Sequence, residues 1–208
     1  QKTAYEIPLR LVGSEMCIRD TKDSDLILDY IDIDLPESII TKNQIMMLDI
    51  LANNNWERPI YFTGGSYEES EYIWMKDYLQ LDGLVYKLVP IKTSIENNPY
   101  EMGRIDSDLM YDIVKKWSWG NSESDKIYHD PETRKNSISF RSNIARLSEK
   151  LINEGKIEKA KNVMDLAIDK MPMDYFGYYS LLVPFVDGYY RIDQIEKAQE
   201  LSKRIAFK

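Results

Sequence analysis

The sequence predicts an α+β fold, mostly α, in which a small α/β region is followed by antiparallel helical hairpins. Three observations carry that expectation. Two short β-rich runs, Ile60-Tyr61-Phe62-Thr63 and Leu84-Val85-Tyr86-Lys87-Leu88-Val89, lie among helical segments in the first half. From Phe140 nearly to the end, apolar residues recur at helical spacing with only short interruptions. The 208 residues are 43% hydrophobic and 12% aromatic, ample for a packed core.

Residues 1–38 read as an extended or unreliable N-terminal segment. Within it, Leu11-Val12-Gly13-Ser14-Glu15-Met16-Cys17-Ile18-Arg19-Asp20 resembles a peptide produced when sequencing-adapter DNA is translated, so about residues 8–20 are set apart from the fold. The α/β region is expected over 39–121. Ile45, Leu48, Leu51 and Ala52 predict a buried helix over Ile39 to Ala52, with Thr41 capping its first turn and Asn53-Asn54-Asn55 ending it. The strand at Ile60–Thr63 stops at Gly64-Gly65, and the second ends at Pro90. Glu68 to Leu79, with Tyr72, Met75 and Leu79 on one face, reads as a crossover helix, which would make the two strands a parallel pair. Thr93 to Pro99 is a polar loop. Ile105, Leu109, Ile113 and Trp117 recur every four residues and predict a helix stopping near Trp119-Gly120-Asn121. Residues 122–136 are charged and aperiodic and read as a linker.

Over 137–208 the helical pattern breaks at Gly155, around Pro172 and Asp174, and near Asp187 to Asp193. With Arg141 as position one of a 34-residue unit, Ile144, Leu147, Ser148, Leu151, Ala160, Met164, Ala167 and Pro172 fall on tetratricopeptide positions. Small residues at Ser148, Ala160 and Ala167 would let two antiparallel helices approach closely. Ile195-Glu196-Lys197-Ala198 echoes Ile157-Glu158-Lys159-Ala160 as part of a second copy.

Charge and composition exclude several functions. Thirty-five acids against 27 bases leave a net charge of -8 without a basic run, so no nucleic-acid partner is expected. No stretch approaches the ~20 apolar residues that span a bilayer. One cysteine, Cys17, allows neither an internal disulfide nor a cysteine-based zinc cluster.

Asp32-Ile33-Asp34 has the spacing by which some glycosyltransferases hold a divalent metal, but solvated acids on a strand edge account for it. Asp106, Asp108 and Asp112 are explained by capping and the helix dipole. His129, the sole histidine, stands outside any recognisable Ser-His-Asp arrangement, and Gly64-Gly65 belongs to no phosphate-binding loop. No catalytic residue, metal ligand or cofactor site is therefore assigned. The aromatics of 175–190 are weighed as core or as a groove for a peptide or glycan. Tyr175, Tyr178, Tyr179 and Tyr189 are the candidate partner-binding residues.

Asn53-Asn54-Asn55-Trp56-Glu57-Arg58-Pro59-Ile60-Tyr61-Phe62, together with Ile39 to Gln44, Tyr78 to Ile91 and Phe140 to Leu147, resembles the C-terminal soluble region of a bacterial polytopic membrane-protein family. That family was long filed as a domain of unknown function; it is similar to protein O-mannosyltransferases and has a tetratricopeptide-like tail. The resemblance covers roughly Ile39 to Lys208. It implies a non-catalytic module at the periplasmic face of the bacterial inner membrane, in a parent protein that is a glycosyltransferase. Its partners would be an acceptor polypeptide or partner protein and its own upstream membrane domain. The alternative is a stand-alone helical-repeat scaffold without a glycosylation role.

Reading the source locus across the codons for Ile7 to Asp20 tests the first of these. The expected outcome is a frame without the Leu11–Asp20 run, in which a polytopic membrane domain continues into Asp25 and beyond. Confirmed codons with a start just before Gln1 would favour the scaffold.

Overall fold

The computed structural model describes residues 4–8, 24–28, 30–34, 39–54, 56–63, 73–93 and 102–207. The chain divides into two compact units, Gln1–Arg104 and Ile105–Lys208, so the boundary falls ahead of the segment 122–136. The adapter-like run with Cys17, Gly64-Gly65, residues 68–72 of the expected crossover helix and residues 94–99 of the polar loop lie outside the described residues.

In the first unit, β1 (Ala4–Pro8) pairs antiparallel with β2 (Tyr30–Asp34). Helix α1 (Lys42–Asn53) starts where Thr41 predicts, its N-terminus secured by the Gln44 side chain, whose Oε1 accepts the Thr41 backbone N–H at 2.8 Å. It ends at Asn53, and the Asn54 side chain donates to the Arg58 carbonyl at 2.8 Å to close the following turn. The expectation of a buried helix is corrected. Gln44 and Leu51 are buried and Met47 and Leu48 pack on the core, but Ile45, Met46 and Ile50 face solvent.

Strands β3 (Tyr61–Thr63), β4 (Leu79–Asp82) and β5 (Val85–Leu88) form a sheet of order β3-β5-β4 in which every pairing is antiparallel. The expected parallel pair is thus overturned. The reason is local: residues 73–78 form a 3-10 turn instead of a crossover helix, and Leu79 already begins a strand. The chain then reverses through Gly83-Leu84, with Gly83 at φ +74, a position where a two-residue hairpin loop favours glycine. Asp82-Gly83 between two apolar runs was the overlooked signal. Ile31, Ile33, Leu51, Met75, Tyr78, Leu79, Leu88 and Met102 form the core of this unit.

The second unit is helical. In α2 (Ser107–Lys115) Asp106 is the cap, its carboxylate accepting the N–H groups of Asp108 and Leu109 at 3.1 Å each. The expected stripe is off by one position: Ser107, Met110, Tyr111 and Val114 are buried, while Leu109 is exposed. Residues 131–136, read as linker, are the first turns of α3 (Pro131–Asn153). Asp130 caps that helix and Pro131 opens it, which an aperiodic charged surface concealed. A three-residue turn with Gly155 at φ +72 leads into α4 (Ile157–Lys170), which packs back on α3. After the short α5 (Met173–Phe176) and a 3-10 turn at Tyr179–Leu182, α6 (Val183–Arg191) and α7 (Ile195–Ala206) form a second hairpin. The expected break from Asp187 to Asp193 starts too early: residues to Arg191 belong to α6, and the turn is at 192–194. Ile144, Leu147, Ser148, Leu151, Ala160, Met164 and Ala167 are all buried, as is Ala198 at the echoed position.

A polar hub docks α2. Lys156 Nζ lies 2.9 Å from Asp108, 2.7 Å from Glu154 and 2.7 Å from the Ser107 hydroxyl, and Lys159 lies 2.7 Å from the second oxygen of Asp108. Burial pushes the Glu154 carboxyl up, but hydrogen bonds from Lys156, Ser107 and Lys150 outweigh it and leave it below the usual 4.5. Burial likewise lowers Lys156, and its bonds to Glu154 and Asp108 more than reverse that. A lowered carboxylate contributes stability above its unfolded pKa and loses it as pH falls through the folded value. The raised lysine contributes below 10.5 and loses its share as pH rises through its folded value. The unfolding midpoint should therefore fall less between neutral pH and the carboxylate range in Glu154→Gln than in the parent chain. Urea titrations of both across that range check this, and equal slopes would contradict it.

Candidate partner-binding face

The connection between the two hairpins, residues 171–182, carries three of the four candidate tyrosines, and one buried side chain holds it in place. Arg141 projects from α3 and is fully buried. Its guanidinium donates to the carbonyl of Gly177 at 2.5 Å and to that of Met171 at 2.8 Å, the two ends of the α5 segment. The guanidinium carbon also sits 6.0 Å from the centroid of the Phe176 ring. Nε is buried without a hydrogen-bond partner. Burial lowers the Arg141 pKa, opposed by Tyr179, to about 10. The group stays charged at neutral pH.

His129 packs on the same cluster. Its ring stacks on Tyr175 with centroids 5.7 Å apart and lies 4.7 Å from Phe176. Both of its ring nitrogens are buried without a hydrogen-bond partner. The sole histidine thus serves as a flat packing surface against aromatic rings.

Tyr175 is half-buried by this stacking, and Tyr179 is also half-buried. Tyr178 is exposed and has a left-handed backbone, φ +50 and ψ +54, uncommon for a bulky residue. The clamp on the preceding carbonyl and the α5 turn before it hold Tyr178 in this conformation. Tyr189 does not share this surface. It is buried, its hydroxyl donates to Asp165 at 2.8 Å, and Lys197 pairs with the same carboxylate oxygen at 2.6 Å. Burial, with Asp165 second, pushes the Tyr189 hydroxyl well above its ordinary pKa. This trio links α4, α6 and α7, and within it the Tyr189 ring is covered.

The other sequence candidates disperse. Asp106 caps α2, Asp108 pairs with two lysines, and Asp112 is exposed. Asp32 and Asp34 lie in β2, opposite Glu6 and Ala4 in register. Among the described residues no three His, Cys, Asp or Glu side chains gather as a metal site. In the sequence Arg141 stands only as the first position of the repeat. Its signal was a charged residue on the apolar stripe of Ile144, Leu147 and Leu151.

The first unit contains an apolar cleft of about 310 Å³ including its open mouth, lined by Ile31, Ile33, Leu51, Asn54, Trp56, Ile60, Met75 and Leu88. Its enclosed part has room for about one water, too little for an organic ligand.

The first unit has a recognisable relative. Residues 7–109 match the family model of TMEM260-associated domain 2. The match takes in β2, α1, the three-stranded sheet and the first residues of α2, just under half of the chain. It links the first unit to a domain that accompanies a TMEM260-like membrane protein. Among the described residues no helix is long and apolar enough to cross a membrane. No curated protein and no solved structure matches the chain.

Replacing Arg141 by Met strands two backbone carbonyls and should cost about 2–6 kcal/mol, from roughly 1–3 kcal/mol for each buried polar group left unpaired. Arg141→Lys keeps the charge but reaches one carbonyl at a time and should cost about half as much. Denaturant unfolding with hydrogen exchange at Gly177 and Tyr178 checks this. An Arg141→Met protein as stable as the parent would mean that the clamp holds nothing.

Proposed function

We propose that this chain is a non-catalytic, extracytoplasmic module of a membrane glycosyltransferase resembling protein O-mannosyltransferases, and that it helps to hold the acceptor polypeptide. The observation that carries the reading is the match of residues 7–109 to TMEM260-associated domain 2, which ties the first unit to a membrane protein. The resemblance of Asn53 to Phe62 and of the longer segments around it supplies the finer assignment: a sugar-transferring parent and the periplasmic side of a bacterial inner membrane.

In this reading the two helical hairpins are tetratricopeptide-like, supported by the small residues Ala160 and Ala198 buried at equivalent positions 38 residues apart. The acceptor meets the connection bearing Tyr175, Tyr178 and Tyr179. Aromatic side chains with a polar tip suit a peptide segment, offering contact area with little rotamer entropy to lose. The scaffold alternative rests on the same hairpins and dispenses with a transferase.

The test is titration of the full chain with unfolded secreted polypeptides. Saturable binding is expected, weakened about tenfold by Tyr178→Ala, in line with an interface residue worth about 1.4 kcal/mol. Because Tyr178 is exposed, the unfolding midpoint should not fall. Absence of saturable binding sinks the acceptor role. Equal binding of cytosolic, non-acceptor polypeptides favours the scaffold.

A further inference from the structure

Two consecutive residues of the connection between the hairpins have positive φ. Gly177 stands at φ +65 and ψ −141, the mirror image of an extended backbone, which glycine alone enters freely. Tyr178 follows at φ +50 and ψ +54, a left-handed conformation that its Cβ disfavours. One rotation eases both. Turning the peptide between them through about 180° would carry ψ of Gly177 to about +40 and φ of Tyr178 to about −130. That places the glycine in the left-handed well and returns the tyrosine to negative φ.

A single hydrogen bond opposes the rotation. The carbonyl of this peptide belongs to Gly177, and Arg141 Nη1 donates to it at 2.5 Å. The N–H of the same peptide, that of Tyr178, has no hydrogen-bond partner among the described residues. The peptide is trans, so this N–H points away from the carbonyl and from the guanidinium that holds it. Beside it lies the Tyr178 ring, 41% exposed. A Cβ added at Gly177 would meet nothing within 4 Å, so the backbone is open there to close approach.

We propose that the peptide joining Gly177 to Tyr178 is a two-position switch in the partner-binding connection, with Arg141 as its positioning residue. In the clamped position the carbonyl faces Arg141 and the N–H faces outward, where it donates to a main-chain carbonyl of a polypeptide lying against the Tyr178 ring. In the turned position the carbonyl faces outward, and that donor is lost to the polypeptide. Charge and strain pull in opposite directions. A guanidinium attracts a carbonyl and repels an N–H, which favours the clamped position; the two backbone conformations favour the turned one. Opposed terms of this kind leave a two-state element that a bound polypeptide or one substitution can tip. The contact with the polypeptide rests on the reading under Proposed function, whereas the two positions rest on the backbone alone.

The test is NMR of the isotope-labelled full chain, reading the NOE between the amide and α protons of Tyr178, which is strong at positive φ and weak at negative φ. The parent should give the strong NOE. Gly177→Ala should give the weak one, because alanine is shut out of the mirror-extended conformation yet tolerated in the left-handed well, and its methyl meets no neighbour. Should that variant not fold, Arg141→Lys carries the same test, since loss of the fork should populate both positions and weaken the NOE. A weak NOE in the parent, or an undiminished one in the variants, overturns the switch. Titration with unfolded secreted polypeptides reads the consequence. Gly177→Ala keeps the Tyr178 ring but should bind about tenfold more weakly. A turned peptide with unchanged binding overturns the role of the N–H. If the NOE changes as expected but the parent binds no polypeptide, the functional reading falls and the two positions are upheld.

Discussion

A cation without a carboxylate partner sits at the centre of the helical unit, and the geometry around it depends on how that charge is satisfied. Burying a guanidinium costs several kcal/mol unless its N–H groups find acceptors. Arg141 finds them in the Met171 and Gly177 carbonyls, both left open by the short α5, and in the face of the Phe176 ring. Burial brings its pKa to about 10, so the charge and the cost of burying it persist across the neutral range. Two helices joined by a flexible connection would need no such device. Here the fork determines how the first hairpin hands the chain to the second, and with it the unusual backbone of Tyr178.

The two units distribute polar and apolar groups differently. In the second, charges are spent internally. Asp108 with Lys156 and Lys159 docks α2, Asp165 with Tyr189 and Lys197 joins α4, α6 and α7, and Ser122 and Glu123 reach the end of α4 through the Lys170 carbonyl and ammonium. Such exposed or half-exposed pairs are individually weak, about 0–1 kcal/mol each, and contribute orientation more than stability. The first unit is held by a small apolar core under a three-stranded sheet, and its helix carries more apolar surface than that core uses. This unit is also the part of the chain that matches TMEM260-associated domain 2.

Much of this was legible in the residues. Caps announce themselves chemically: Thr41 begins α1, and the acids expected to serve the first turn of α2 do so through Asp106. The buried row from Ile144 to Ala167 followed from the spacing of its positions, with large side chains at Ile144, Leu147, Leu151 and Met164 and small ones at Ser148, Ala160 and Ala167 where the two helices approach. Periodicity served less well where one face is not uniformly buried. In α1 and α2 apolar residues stand on solvent-facing positions, so counting every fourth residue selected Leu109 in place of Met110 and placed Ile45 of α1 inside.

The sequence by itself determined the fold class, the helical hairpins and the caps at Thr41 and Asp106, since these depend on interactions between residues a few positions apart. Only the tertiary structure decided the direction of the strand pairing, the burial of Tyr189 and the role of Arg141. Each of those depends on groups far apart in the chain: Arg141 reaches carbonyls 30 and 36 residues away, and Tyr189 reaches a carboxylate 24 residues back. An arginine on an apolar stripe looks like an interruption until the carbonyls that receive it are brought alongside, because local sequence records the donor and not where the backbone will leave an acceptor unpaired.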